Sequence, residues 1–416
     1  MLALLVFQGK TELLRNIHLK MARIADEVKL YLALKLKKGQ KMFALKGKNQ
    51  SIELIRIFAC LLVIMAHSQI GVLLNGSIMT GRLGMSTMIA DDVPLFLLVT
   101  GFYFFSRVKS DLDVSKTFLY KVKSFLGSIY IPTVLYILIS IFFRYFTASN
   151  INGIENADWD YLVRFVFRLA PGDHLWYICT YMSFVFFFPM LAFLCQDTPE
   201  RNKLRRILLG IAIACAVIAD VQYFLKKPMF DIEKFIWGYC MIFLVLGFEL
   251  SIFIRKFSGS KLKLALSGLG LYLFAFVVKY GLQVYMFTQY GDVNNRFRWL
   301  QCTPCFMSAI GLFLVIYSIG CLIKKDGKLA YVVNFFGSCT FAIYLFHQLV
   351  IGQTRAILNE LLSFFGNAEN IAGAFGYYYS YALTVFMISF VVGLVFKLIV
   401  DNSVGRLFKC FAQSLF

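Results

Sequence analysis

The sequence has little charge for its length, and little of that charge is acidic. Only 16% of its 416 residues are charged, and 23 Asp and Glu residues stand against 42 Lys and Arg residues. No repeat, low-complexity tract or long polar insert follows residue 50. Because 59% of the residues are hydrophobic and the mean hydropathy is +0.71, an ordinary soluble protein is excluded. The composition predicts an all-α fold, a polytopic membrane helix bundle.

Ten apolar stretches are long enough to cross a bilayer, which predicts about ten transmembrane helices. They cover about residues 52–73, 90–105, 125–146, 175–195, 207–225, 235–254, 264–286, 302–323, 331–351 and 378–397. The links between them are too short for a separate folded domain. One membrane domain must therefore contain the chemistry.

The net charge of +19 follows membrane topology. With the N-terminus placed in the cytoplasm, 30 of the 42 Lys and Arg residues fall in the inward links and the two termini. This is the positive-inside pattern, so both termini are predicted to be cytoplasmic. Nucleic acid is an unnecessary partner, whereas membrane lipid is an expected one. A smaller part of the charge is available to anionic lipid or a phosphorylated substrate.

Three segments are predicted: a basic leader over residues 1–50, a membrane domain over 51–400 and a cytoplasmic tail over 401–416. Apolar residues recur in the leader at spacings of three and four, the pattern of a helix lying on a membrane surface. A short coiled coil is the alternative. Translation from Met1 and translation from Met42 both remain open.

Disulfide and zinc sites find little support in the cysteine pattern. Most of the ten cysteines fall within apolar stretches, where a thiol packs as a small hydrophobe. Cys302 and Cys305 form a CxxC, and two small residues at a helix start are favoured there over a redox pair. No second CxxC or histidine cluster completes a zinc site, so no metal is predicted.

The first apolar stretch contains three ionisable residues, which are costly at membrane depth and mark functional sites. Glu53 and Arg56, at i and i+3, are close enough to pair near the cytoplasmic end. Arg56 and His67 are eleven residues apart, so both leave one helix face, about 16 Å apart along the axis. A snorkelling anchor is the alternative interpretation of Arg56.

Three further motifs place polar groups toward the outer leaflet. Asp92 lies in DDVPLFLLVTGFYFF, beside a proline suited to the first turn of a helix. His174 and Trp176 lie in HLWY, where a member of an aromatic belt is the alternative interpretation of the tryptophan. Tyr344 and His347 share one helix face in IYLFH. Three of the chain's four histidines are therefore expected at one depth.

In this order, the motifs resemble the acyltransferase 3 family of integral membrane enzymes, which transfer acyl groups, usually acetyl, to cell-surface sugars. The most specific motif is a basic residue, ten intervening residues and a histidine, here Arg56 and His67. The resemblance runs from about residue 49 to residue 400. Within the family the chain looks most like the stand-alone O-acetyltransferases, such as that for enterobacterial common antigen.

The resemblance implies that His67 is catalytic and that Arg56 serves the coenzyme A donor, with Glu53 and His347 as further catalytic residues. It implies acetyl-CoA as the donor, no permanently bound cofactor, a glycan or lipid-linked sugar as the acceptor, and the bacterial inner membrane as the location. Relatives often carry an arginine shortly before the third-span proline, a region where this chain has glycine and serine. Lys121 and Lys123 are expected to replace that charge on the donor phosphates.

On this interpretation, His67 acts as a general base on a sugar hydroxyl or as a nucleophile that carries the acyl group. Both routes remain open. His174, Trp176, Tyr344 and Asp92 are expected to bind or orient the acceptor. A secondary transporter or polysaccharide exporter is the alternative, since it too would bury charged residues, but no inverted repeat supports it.

Overall fold

The computed structural model describes residues 49–68, 73–74, 77–105, 113–147, 163, 173–227, 238–292, 295–365 and 370–402. The predicted leader lies outside the described residues except for its last two positions. The predicted tail also lies outside them except for its first two. The leader helix and the cytoplasmic placement of both termini stay predictions.

The described part is helical apart from a short antiparallel pairing of β1 (Leu73–Leu74) with β2 (Ser77–Ile78), in which Leu73 lies opposite Ile78. The helices are α1 Gln50–His67, α2 Thr80–Ile89, α3 Asp92–Phe104, α4 Val114–Phe125, α5 Ile131–Thr147, α6 Trp176–Phe186, α7 Phe188–Leu194, α8 Pro199–Phe224, α9 Tyr239–Lys256, α10 Lys261–Tyr290, α11 Thr303–Gly320, α12 Lys328–Leu361 and α13 Ile371–Asn402. A π-helical turn, Leu126–Tyr130, joins α4 to α5, and 3-10 turns cover Asp173–Leu175, Arg296–Arg298 and Ser363–Phe365. The predicted all-α bundle is confirmed.

The number of crossings is close to the prediction. Among the described residues, eight helical spans are long and apolar enough to cross a membrane, or nine if the bent pair α6 and α7 is one span. The sequence predicts about ten. The stretch that makes the difference corresponds to α9, an 18-residue helix in which Glu249, Arg255 and Lys256 put three charged residues into the length of one span.

Two predicted spans differ in shape from the helices that form. The first ends at His67, several residues before the expected position 73, and the Ser68 hydroxyl donates to the Met65 carbonyl at 2.6 Å. The fourth is two helices that meet at an angle of 66°. Pro189 starts the second of them, and because proline lacks an N–H and clashes with the preceding turn, one continuous helix cannot form.

Helix α1 is central, since it packs against α3, α11, α12 and α13. Glycines bring these helices close to it. A Cβ at Gly320 of α11 would lie 2.3 Å from the Ser51 Cα, and one at Gly337 of α12 would lie 2.2 Å from a Glu53 carboxylate oxygen. Small residues allow this approach, which lets membrane helices gain packing energy that the lipid does not supply. The packing surrounds the helix that carries Glu53, Arg56 and His67.

The contact between α3 and α9 gives a direct test of this packing. A Cβ at Gly247 would lie 2.2 Å from the Leu98 carbonyl oxygen, whereas a Cβ at Gly270 of α10 meets nothing within 4 Å. We expect Gly247→Ala to destabilise the fold by about 1–3 kcal/mol through overpacking. Gly270→Ala should be neutral or stabilising by up to about 1 kcal/mol, because alanine favours helix. Thermal unfolding in detergent measures both, and equal effects would contradict the packing.

Candidate active site

Helix α1 carries the three ionisable residues on one uninterrupted helix. Asn49 begins it by accepting a hydrogen bond from the Ser51 N–H at 3.0 Å. Arg56 Nη1 lies 3.3 Å from Oε2 and 3.4 Å from Oε1 of Glu53, so the predicted pair forms. Glu53 is buried, whereas the Arg56 side chain keeps 31% of its surface exposed. Glu53 therefore balances the charge of Arg56, while part of the Arg56 side chain stays accessible to a ligand.

Three histidine rings converge at the far end of α1. The centroid of His67 lies 5.1 Å from that of His347 and 6.5 Å from that of His174, and the last two rings are 5.1 Å apart. They come from α1, from the 3-10 turn before α6, and from the middle of α12. His174 and His347 are buried, and His67 is half-buried. The histidines expected at one depth therefore also meet laterally.

Tyr344 connects two of these histidines. Its hydroxyl donates to the His174 backbone carbonyl, and its own carbonyl oxygen lies 2.6 Å from His347 Nδ1. Because a carbonyl only accepts, His347 Nδ1 must carry the proton, which leaves Nε2 as an acceptor. Within the part of the chain that the structure describes, His347 Nε2 and both ring nitrogens of His174 are buried without a hydrogen-bond partner. Such atoms are unusual in a purely structural cluster and suit a site that receives a polar ligand.

A contact between two hydroxyls places the DDVPLFLLVTGFYFF motif next to this cluster. Thr100 of α3 and Tyr177 of α6 lie 2.9 Å apart through their hydroxyl oxygens. The Tyr177 ring is 6.1 Å from that of Tyr344, and the Tyr136 ring is 6.0 Å from that of His174. The TGF, HLWY and IYLFH motifs are therefore neighbours in space as well as in the order of the chain.

Two of the predicted acceptor residues lie at the edge of this arrangement. Trp176 is half-buried, and its ring lies 6.4 Å from that of Tyr177; no ring contact with a histidine occurs among the described residues. Asp92 starts α3 and accepts from the Val93 N–H at 2.6 Å. Their proposed roles stay predictions.

The predicted donor lysines occupy α4. The Lys121 ammonium donates to the Phe104 carbonyl at 2.9 Å and lies 3.9 Å above the Phe104 ring and 4.7 Å from that of Phe188. A cation over an aromatic face is held electrostatically. Lys121 therefore stabilises the end of α3 in this structure, while Lys123 is half-buried on the same helix. Phosphate binding by either residue stays a prediction.

A model of the acyltransferase 3 family, described as an acyltransferase domain, matches residues 49–402. The chain belongs to this family. It is therefore a membrane acyltransferase. Comparison with curated proteins and with solved structures finds no match. The matched region contains the Arg56 and His67 helix, both further histidines of the cluster and every other described residue considered above.

The acyltransferase domain also contains a buried ion pair whose significance was missed from sequence. Lys279 Nζ lies 3.0 Å from Asp91 Oδ1, and both side chains are completely buried. The Ser308 hydroxyl donates to the same oxygen at 2.5 Å, and Cys305 Sγ lies 3.4 Å away. Asp91 lies in the break between α2 and α3, so of the acidic doublet it is this residue, not Asp92, that joins α3 to α10 and α11. The signals in the sequence were the acidic doublet and a single lysine in an otherwise apolar stretch.

We expect Lys279→Met to destabilise the acyltransferase by about 3–5 kcal/mol, because it leaves the Asp91 carboxylate buried without its counter-charge. Adding Asp91→Asn should recover most of the loss. Lys226→Met serves as the control, since its pair with Asp292 is exposed and should contribute at most about 1 kcal/mol. Unfolding in detergent measures all three, and a Lys279 effect as small as that of Lys226 would show that the buried pair is not structural.

Proposed function

We propose that this acyltransferase moves an acetyl group from cytoplasmic acetyl-CoA to a hydroxyl of a cell-surface polysaccharide or lipid-linked glycan, in a bacterial inner membrane. The observation that carries the proposal is the convergence of His67, His174 and His347 at one end of α1, the helix whose other end carries Glu53 and Arg56. A surface polysaccharide of the common-antigen type is the acceptor favoured by the sequence motifs.

The donor end of the proposed path is Arg56. Guanidinium groups bind phosphate in a bidentate manner, and the exposed part of this side chain can meet a coenzyme A phosphate while Glu53 holds the group in place. The pantetheine arm would then follow α1 for about 16 Å to His67, which brings the thioester to the histidine cluster. Lys121 and Lys123 would supply further positive charge nearby.

At the histidine cluster, His67 would take the proton of the acceptor hydroxyl while its oxygen attacks the thioester carbon. The new C–O bond forms, the C–S bond breaks, and the thiolate of coenzyme A takes the proton from His67. In the second route, a ring nitrogen of His67 attacks the thioester carbon and the C–S bond breaks, which releases the coenzyme A thiolate. The acceptor hydroxyl then takes the acetyl group from His67, the C–N bond breaks, and the hydroxyl proton goes to the thiolate. The geometry favours neither route.

The neighbouring groups suit a supporting role in either route. His174 and His347 lie within 6.5 Å of His67, ring centre to ring centre, and Tyr344 fixes the orientation of His347. His347 Nε2 could accept a hydrogen bond from the acceptor hydroxyl, and the N–H of the His174 ring could donate to the oxyanion that develops on the thioester carbonyl.

The alternative, an exporter of a polysaccharide precursor, would need buried charges along a pathway through the bundle. Two of the charges that suggest it are paired: Lys279 with Asp91, and Asp220 with Arg296 at 2.6 Å. Pairing accounts for these charges as parts of the scaffold. Membership in an acyltransferase family also favours the enzyme.

His67→Ala tests the proposed base. Purified protein is incubated with labelled acetyl-CoA and a lipid-linked or soluble glycan, and acetyl transfer is measured. We expect a loss of about 100-fold or more, the range for removal of a general base. His18→Ala is the control, because this fourth histidine lies in the predicted leader. Transfer that survives in His67→Ala would remove the assignment of the base, and absence of transfer by the wild type with every glycan tried would favour the exporter.

Arg56→Ala tests the donor path separately. A charged hydrogen bond is worth about 1.5–3 kcal/mol, so the Kd for coenzyme A should rise by roughly 10- to 100-fold. Acceptor binding should be unchanged, and Arg56→Lys should lose part of the affinity because it lacks the bidentate fork. Isothermal titration with coenzyme A and with the glycan separates these effects. Equal losses for both ligands would mean that Arg56 is structural.

A further inference from the structure

A groove lies between the start of α8 and the end of α9, and none of the residues assigned above line it. Its volume is about 640 Å³, and its lining residues are Pro199, Asn202, Lys203, Arg206, Ile207 and Lys256. Three of these six side chains are cationic and none is acidic. By the positive-inside pattern, this end of both helices faces the cytoplasm.

A second cavity of about 360 Å³ adjoins the first, because Arg206 and Lys256 line both. Its other walls are almost entirely apolar: Leu246, Leu250, Ile252, Phe253 and Ile310, with Glu249 as the one acid. A basic mouth therefore leads into an apolar slot. A basic surface next to an apolar one is complementary to an amphipathic anion with a hydrocarbon chain.

The acid in the slot is already balanced. Glu249 Oε1 lies 2.6 Å from Nη2 of Arg205, a buried residue, and Oε2 lies 3.3 Å from Arg206 Nε. Two other acids lie at these helix ends: Asp197 accepts from Asn202 at 2.8 Å and lies 4.0 Å from Arg255, and Glu200 lies in the first turn of α8. Together with Glu249 they make three acids against six cations, so the mouth keeps an excess of positive charge; the cations are Arg201, Lys203, Arg205, Arg206, Arg255 and Lys256.

The groove opens toward the surroundings of the bundle. Only 17% of the apolar part of α8 is buried, and Ile207, Ile211 and Phe253 are each about half exposed. In a membrane such side chains contact lipid chains. A ligand with hydrocarbon tails can therefore reach the slot from the bilayer. A soluble nucleotide such as coenzyme A has no use for such a route.

We propose that this groove binds an anionic phospholipid of the cytoplasmic leaflet. Lys203, Arg206 and Lys256 surround the headgroup phosphate, and one acyl chain lies along the apolar wall of α9. Basic pockets at the cytoplasmic ends of membrane helices recognise lipid in this way. Bound there, the lipid bridges α8 and α9 at the end where Glu249 already joins them.

Native mass spectrometry of the full chain, titrated with phosphatidylglycerol or phosphatidylcholine in one detergent, tests the proposal. We expect phosphatidylglycerol to bind the wild type about tenfold more tightly than phosphatidylcholine. The Lys203→Ala/Lys256→Ala variant should lose this preference, and Lys203→Arg/Lys256→Arg should keep it. Lys261→Ala/Lys263→Ala, which removes two exposed lysines from the start of α10, is the matched control and should also keep it.

Three results would overturn the proposal. The first is a preference for phosphatidylglycerol that persists in the alanine variant. The second is loss of that preference in the arginine variant, which retains the charge. This variant also tests the proposal if the alanine variant does not fold. The third is displacement of the bound lipid by coenzyme A or by inorganic phosphate, which would assign the groove to a soluble anion.

Discussion

A charge inside an apolar medium is stable only when another group balances it, and the arrangement of this bundle depends on that constraint. In the described part, several charges inside the bundle are paired between different elements: Asp91 with Lys279, Arg205 with Glu249 and Asp220 with Arg296. Each pair fixes the position of one element against another. The Glu53 and Arg56 pair differs, because it lies within one helix and leaves the arginine partly exposed. It is therefore suited to contact a ligand rather than a second helix.

The same constraint separates scaffold from site among the polar residues. The interhelical pairs hold the helices around α1, and glycines such as Gly320 and Gly337 let α11 and α12 approach it closely. Only with those positions fixed can three histidines from separate elements converge. Tyr344 then orients His347 through backbone contacts that do not depend on a ligand. The orientation of His347 is therefore set before a ligand binds, as the proposed catalysis would require.

The helices and the depth of the histidines could be predicted from sequence, because hydrophobic length and position along a span are local properties. The lateral meeting of His67, His174 and His347 could not be derived from depth, since it depends on which helices are neighbours. The acidic doublet shows the same limit. The sequence predicts Asp92 in acceptor binding, which stays a prediction, and it does not single out Asp91, whose contact with Lys279 depends on the break after α2. The bend between α6 and α7 was not predicted, although Pro189 is present in the sequence, and only the structure gives its angle.

The proposed function depends on a donor path along α1 from Arg56 to His67. The most direct measurement is a cryo-electron microscopy structure of the protein with a non-transferable acetyl-CoA analogue. We expect the coenzyme A phosphates to lie on Arg56 and the acyl carbon to lie within about 3–3.5 Å of a His67 ring nitrogen or of an acceptor oxygen that His67 contacts. Phosphates bound elsewhere, with the acyl group remote from the three histidines, would contradict it.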